Sequence, residues 1–140
     1  MRILGIDYGK SKLGLAITDP TNTISQPFSV IPAKDAISKI ENIAKEYSVE
    51  LFVVGLPILE SGEEGKMAEE VRKFAKALAE ATGKKVILWD ERYSSHEAEK
   101  ILKEAGLSWR KYKKRKLVDK LSAALILESF LEKRNEASRG

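Results

Sequence analysis

The opening third of the chain alternates short apolar runs with polar turns, a pattern typical of paired β-strands. The run Ile3–Gly9 predicts a strand that presents one carboxylate, Asp7, shortly before a glycine. A second run, Leu13–Thr18, follows at once. The two runs predict a hairpin whose turn, Gly9–Lys12, gains its backbone freedom from the glycine.

Helical periods then alternate with further apolar runs, and Pro27 marks the third strand as an edge or a bulge. The predicted elements are a strand Thr23–Ile31, a helix Lys34–Tyr47, a strand Leu51–Gly55, a helix that a Ser61–Glu64 capping box opens and that runs to Thr82, a strand Lys85–Glu91, and helices Ser94–Ala105 and Leu117–Leu131. The uniformly apolar Leu51–Gly55 is typical of a parallel strand covered on both faces. We therefore predict one α/β domain over residues 1–131, with a mixed five-stranded sheet flanked by helices, and a frayed polar tail over 132–140.

Composition limits the chemistry that this domain can perform. The 140 residues include no cysteine, which excludes disulfides, thiolate zinc sites and cysteine nucleophiles. The single histidine, His96, excludes a multi-histidine metal site and is itself expected at the surface. A bound metal would therefore have carboxylates and other oxygens as ligands, which favours Mg²⁺ or Mn²⁺.

Charge is distributed unevenly along the chain. Residues 1–70 carry 7 Lys and Arg against 11 Asp and Glu, whereas residues 71–140 carry 18 against 10. The basic second half favours a polyanionic partner. No apolar run approaches the roughly 18 residues that cross a bilayer, and Asp7 and Lys10 interrupt the first run, so we expect a cytoplasmic protein without a membrane segment.

Acidic residues stand where apolar elements end or begin: Asp7, the pair Asp90 and Glu91, and Asp119 near the start of the last predicted helix. Each has a structural explanation of its own. Asp119 suits the first turn of a helix, Asp90 suits a turn, and Glu91 could pair with Arg92. Together, carboxylates that converge at one end of a sheet would repel one another unless divalent cations lay between them. Such a cluster suits two-metal phosphoryl chemistry, in which one ion activates water and the other stabilises the leaving oxygen.

Four motifs in order along the chain give a family resemblance: Ile6–Gly9 with Gly14–Ala16, Val54–Pro57, Asp90–Ser95, and Val118–Glu128. With these motifs the chain resembles the YqgF (RuvX) family, described as Holliday junction resolvases or pre-16S ribosomal RNA nucleases. The resemblance implies a ribonuclease H-like fold and metal-dependent cleavage of nucleic-acid phosphodiesters.

The same resemblance implies roles for the acidic residues. It makes Asp7, Glu91 and Asp119 the catalytic acids and the ligands of Mg²⁺ or Mn²⁺, with Asp90 the competitor of Glu91 as a metal ligand. Ser122, one turn after Asp119, stands where RuvC resolvases carry a second acid. Metal binding would then be weaker or would depend on the substrate phosphate.

Basic residues interleaved with aromatic ones precede the Asp119 helix, and they predict nucleic-acid contacts or a solvated loop. They are Trp109, Arg110, Lys111, Tyr112, Lys113, Lys114, Arg115 and Lys116. The basic side chains would neutralise phosphates, and either aromatic ring could stack on an unpaired base. Further candidates are Lys10 and Lys12 in the hairpin turn and Arg92, which could clamp a phosphate or form a structural ion pair.

These observations favour a metal-dependent nuclease acting on precursor ribosomal RNA or branched DNA, as a monomer or weak homodimer. One alternative is a non-catalytic protein that binds structured RNA or ribosomal particles. Another is an ATPase that uses the Asp7 hairpin as a phosphate loop, although 140 residues leave no second lobe to enclose a nucleotide.

Overall fold

The structure is a computed structural model that describes residues 1–93 and 119–139, with side chains described over 1–93 and 121–137. Its elements are β1 (Arg2–Asp7), β2 (Lys12–Thr18), β3 (Ser25–Pro32), α1 (Ala36–Tyr47), β4 (Val49–Leu56), α2 (Lys66–Thr82), β5 (Lys85–Asp90) and α3 (Asp119–Arg139). Residues 91–93 are helical. The predicted helix Ser94–Ala105, His96 and the basic segment 109–116 lie outside the described residues.

The five strands form one sheet in the order β3-β2-β1-β4-β5. The first three strands pair antiparallel, and β4 and β5 add in parallel to β1. This confirms the predicted mixed sheet. Pro27 predicted an edge strand or a bulge, and the structure has both. Strand β3 is an edge strand, and its register with β2 shifts beside Pro27.

Several boundaries differ from the predicted ones for local reasons. Strand β3 begins at Ser25 rather than Thr23 because the backbone N–H groups of Thr23 and Ile24 donate to the Asp19 carboxylate. The capping box at Ser61 is wrong, since α2 begins at Lys66 after an N-cap glycine that has no side chain to donate or accept.

The residues of the predicted capping box have other partners. Ser61 Oγ accepts from the backbone N–H of Glu63 at 3.3 Å, within the loop. The Glu64 carboxylate pairs with Arg72, whose Nε lies 2.6 Å from Glu64 Oε1. The capping-box spacing was present in the sequence, but the glutamate side chain points to a partner within α2.

Helices cover both faces of the sheet. Helices α1 and α2 pack on one face around Leu4, Ile6, Phe52 and Val54, and α3 packs on the other around Ile3, Val53 and Leu127. At one sheet edge Ser25 Oγ donates to the Ala124 carbonyl oxygen at 2.9 Å, so α3 reaches from β3 across to β5.

Helix α3 continues past its predicted end at Leu131 as far as Arg139, and the side chains of 132–137 are exposed. The assignment of a domain to 1–131 and a frayed tail to 132–140 stays a prediction. Within the ranges that the structure describes, no helix has the length and apolar character needed to cross a membrane.

Candidate active site

The carboxyl ends of β1, β4 and β5 meet at one edge of the sheet because the three strands are parallel. Asp7 ends β1, and Asp90 ends β5 beside Leu56, the last residue of β4. Ligand sites of open α/β sheets gather at this edge. Asp7 and the Asp90–Glu91 pair therefore lie at the same end of the sheet, with strand β4 between them.

Alternation along β1 sets the face of the sheet on which Asp7 lies. Ile3 packs on the α3 side, whereas Leu4 and Ile6 belong to the core beneath α1 and α2. Gly5 also faces α3, since a Cβ on it would lie 2.8 Å from Leu127 Cβ. Adjacent strand residues point to opposite faces, so Asp7 shares the α3 face with Ile3 and Gly5.

Glu91 lies on this same face, over strand β4. A Cβ on Gly55 would be 2.7 Å from Glu91 Oε1 and 3.0 Å from Glu91 Cγ. The β1–β4 register pairs Ile6 with Val54, so its next step brings Asp7 beside Gly55. The Glu91 carboxylate therefore covers the strand residue that neighbours Asp7.

Asp90 has the opposite orientation and a different partner. Trp89 faces α3, where its Nε1 donates to Ser129 Oγ, so Asp90 points toward the face of α1 and α2. Its carboxylate accepts from Arg92 Nη2 at 2.7 Å and from the Arg92 backbone N–H at 2.9 Å. The hydrogen bonds from the guanidinium hold the pKa of the Asp90 carboxyl below its ordinary value of 3.8. Asp90 and Arg92 thus form an ion pair, and Glu91 is the acid on the face of Asp7.

Asp119 is the first residue of α3, and its side chain lies outside the described part. Its backbone is one helical turn before Ala123, whose carbonyl oxygen would lie 3.1 Å from a Cβ on Gly5. Ser122, at the next turn of the helix, is half-buried. The helix that carries Asp119 is therefore seated on β1, the strand that ends in Asp7.

The donor set suits a hard divalent cation. Asp7 and Glu91 supply carboxylate oxygens on one face at one sheet edge, and such ligands match Mg²⁺ or Mn²⁺. Among the side chains that the structure describes, no three or more His, Asp or Glu residues cluster closely enough to hold a metal ion. Asp7 and Glu91 thus lie on a common face, and the metal-ligand roles predicted for Asp7, Asp90, Glu91 and Asp119 all stay predictions.

Of the residues predicted to contact phosphates, the structure describes Lys10, Lys12 and Arg92. Lys10 and Lys12 are exposed in and just after the turn that follows Asp7, and the Ser11 carbonyl oxygen fixes that turn by accepting from the Ala33 N–H at 2.9 Å. Arg92 forms a structural ion pair with Asp90, which was the predicted alternative to a phosphate contact. The eight candidates from Trp109 to Lys116 lie outside the described residues.

An aromatic cluster beside Glu91 was not found from the sequence. The Tyr93 ring, 47% exposed as a residue, lies 5.5 Å from the Trp89 ring, and Lys133 Nζ lies 5.4 Å from the Tyr93 centroid. The available signal was the four-residue spacing of the two aromatics across the end of β5. Gly55 was noted only as part of a motif, because its role depends on a residue from the neighbouring strand.

A family model described as "RuvX: Holliday junction resolvase" matches residues 1–133. The chain belongs to the RuvX family. This confirms the resemblance found in the sequence and assigns the chain to a nuclease family.

Two curated proteins similar to this RuvX chain carry the name "Putative pre-16S rRNA nuclease". The one from Pelotomaculum thermopropionicum is 41% identical over 143 aligned positions, covering 99% of this chain and 92% of that protein. The one from Caldanaerobacter subterraneus subsp. tengcongensis is 42% identical over 135 positions, covering 94% of this chain and 96% of that protein.

A solved structure titled "T. thermophilus RuvC in complex with Holliday junction substrate" matches this RuvX chain with a TM-score of 0.62. The match covers 100% of this chain and 97% of that chain at 16% identity, so it concerns the fold. It confirms the predicted ribonuclease H-like architecture.

Proposed function

We propose that this protein is a divalent-metal-dependent endonuclease that hydrolyses nucleic-acid phosphodiesters, with precursor 16S ribosomal RNA as its substrate. The observation that carries the proposal is the position of the Glu91 carboxylate over Gly55, on the same sheet face and edge as Asp7. The names of the two relatives at 41% and 42% identity support the choice of RNA over branched DNA.

Asp7, Glu91 and Asp119 are the proposed holders of Mg²⁺ or Mn²⁺. Bound ions would supply a water molecule with a lowered pKa and positive charge near the leaving oxygen, in the two-metal scheme of phosphoryl transfer. Asp90 is left out of this set because it points toward the face of α1 and α2, opposite to Asp7, where its carboxylate accepts from Arg92. It keeps a supporting part, which is to fix the first turn after β5 through the Arg92 N–H.

Charge around this edge suits a polyanionic substrate. Lys10 and Lys12 project from the hairpin turn next to Asp7, where ammonium groups can neutralise phosphates on either side of the bond to be cut. The basic segment 109–116, which precedes α3 in the chain, would extend this contact. Its two aromatic residues suit an unpaired base better than a continuous duplex.

The test is cleavage of two end-labelled substrates, a precursor 16S RNA fragment with its 5′ extension and a four-way DNA junction. Each is incubated with Mg²⁺, with Mn²⁺ and with EDTA. We expect metal-dependent cuts in the RNA, no cuts from Asp7→Asn, and wild-type cuts from Glu50→Gln. Glu50 is the matched carboxylate-to-amide control, since it pairs with Lys84 near the opposite edge of the sheet.

The alternative function is a non-catalytic RNA-binding protein, and the same experiment separates it. RNA bound with no product in any metal would support the alternative and overturn the nuclease. Equal cutting by the wild type and Asp7→Asn would overturn the assignment of the site. Cuts confined to the junction would support nuclease activity and show that the substrate is branched DNA, not precursor RNA.

A further inference from the structure

Gly55 is packed so closely that it has no room for a side chain. A Cβ built on it would lie 2.6 Å from Ile126 Cδ1, 2.7 Å from Glu91 Oε1 and 3.0 Å from Glu91 Cγ. Real Cβ atoms essentially never approach another heavy atom to less than 3.0 Å. The space in front of Gly55 is thus occupied by the carboxylate of Glu91 and the tip of one α3 side chain.

Backbone conformation does not explain this glycine. Positive φ angles among the described glycines occur at Gly62 and Gly83, at 89° and 68°, and Gly55 is not one of them. Gly55 lies inside β4, in register with Trp89 of β5, and a strand interior ordinarily disfavours glycine. What requires glycine here is the close approach of another group.

We propose that Gly55 is a positioning residue of the nuclease site. The side chain it lacks leaves the place over β4 in which the Glu91 carboxylate lies, between its own strand end and Asp7. This inference rests on the proposed function, because it takes Glu91 to be a metal ligand. It goes further by making a residue without any functional group responsible for the position of that ligand.

A comparison with Gly5 shows which effect each substitution should have. A Cβ on Gly5 would meet Leu127 Cβ at 2.8 Å and the Ala123 carbonyl oxygen at 3.1 Å, atoms that move only if α3 moves. At Gly55 the two nearest atoms, Ile126 Cδ1 and Glu91 Oε1, are the ends of side chains. Gly5→Ala should therefore lower stability, whereas Gly55→Ala should leave the fold intact and displace the Glu91 carboxylate.

The experiment is a double-substitution cycle in an Ile126→Val background, which removes the Cδ1 atom and leaves Glu91 as the group that a Cβ at position 55 would strike. Mn²⁺ alone is the probe, and its binding is measured by electron paramagnetic resonance. Thermal unfolding is measured in parallel.

We expect Gly55→Ala to weaken Mn²⁺ binding about 10- to 100-fold, the range for groups that orient metal ligands. In Glu91→Asp, which removes the 2.7 Å contact with Oε1 but keeps the γ carbon, the same substitution should weaken binding by a smaller factor than it does beside Glu91.

A second readout needs no metal. The ¹³C signal of the Glu91 carboxyl, assigned by its loss in Glu91→Gln, should shift in Gly55→Ala and stay in place in Glu50→Gln. An unmoved Glu91 signal would overturn the positioning role. So would a loss of Mn²⁺ affinity from Gly55→Ala that is the same with and without Glu91→Asp.

The two hypotheses fail in different ways. If Glu91→Gln binds Mn²⁺ as the wild type does, the proposed metal site is wrong, while the carboxyl signal still tests Gly55. If Glu91→Gln loses Mn²⁺ and Gly55→Ala keeps it, the metal site stands and the inference about Gly55 is wrong.

Discussion

Trp89 and Ser129 join the last strand to the last helix, because the indole Nε1 donates to the serine Oγ at 3.1 Å. Ser129 is buried, and the Trp89 ring also packs edge-on against Phe130 at 5.4 Å. Trp89 is two residues before Glu91. This hydrogen bond therefore anchors the end of β5 from which the proposed ligand extends.

Ser129→Ala should destabilise the protein by about 1–2 kcal/mol, because it leaves a partly buried indole N–H without its acceptor. Urea unfolding followed by far-UV circular dichroism measures the difference. Ser38→Ala is the matched control, since Ser38 is an exposed serine within α1 and shares the gain in helix propensity. Equal stability of the two variants would contradict the anchoring role.

Glu91→Gln should lower the single-turnover cleavage rate by about 100-fold or more, because loss of outer partners of a metal site alone costs about 10–100-fold. Asp90→Asn should lower it less than Glu91→Gln does, because Asp90 acts only by fixing the turn through Arg92. The measurement is quenched cleavage of labelled precursor RNA with enzyme in excess. A larger loss from Asp90→Asn than from Glu91→Gln would reverse the assignment of the two acids.

Asp19 should give the folded protein a contribution to stability that acid removes. Hydrogen bonds from the Ile24 N–H, the Thr21 hydroxyl and the Thr23 N–H lower the pKa of the Asp19 carboxyl from 3.8 to about 2. The folded state thus favours the carboxylate, and the contribution is present above pH 3.8 and lost as the pH falls through about 2.

The variant that checks this is Asp19→Asn, compared with the wild type by chemical unfolding at a series of pH values. The wild type should be the more stable protein at neutral pH, and the difference should shrink as the pH falls from 3.8 to about 2. A difference that stays constant across this range would show that the Asp19 charge is not responsible.

Lys10→Ala with Lys12→Ala should reduce the salt dependence of RNA binding. Each lost contact with a single-stranded phosphate lowers the slope of log K against log salt concentration by roughly 0.7. Fluorescence anisotropy at several salt concentrations, with Asp7→Asn protein to prevent cleavage, measures the slope. Lys84→Ala should leave it unchanged, because Lys84 pairs with Glu50 near the opposite sheet edge. A similar slope change from Lys84→Ala would indicate nonspecific charge effects.

Local pattern was sufficient for most of the fold. Apolar runs located each strand, and Pro27 marked β3 as the edge strand, because these signals depend on residues that are adjacent in the chain. The predicted start of α2 was wrong because capping rules consider only residues within one turn. The partner of Glu64 is Arg72, eight residues later.

The site required information that no single stretch contains. Alternation predicts that Asp90 and Glu91 point to opposite faces, but which face carries Asp7 depends on how α3 packs. Gly55 shows the same limit, since its neighbours Glu91 and Ile126 are 36 and 71 positions away in the sequence. The apolar pattern of α3 indicated burial without indicating against which strands.

Under the proposed function, the docking of helix α3 would couple folding of the chain to assembly of the candidate site. The sheet face that carries Asp7 and Glu91 is also the face on which Ala16, Val53 and Leu127 form a core, and α3 supplies its outer layer. A chain in which α3 has not docked would expose this apolar face and would separate Asp119 from β1. Incompletely folded copies would therefore lack the assembled candidate site.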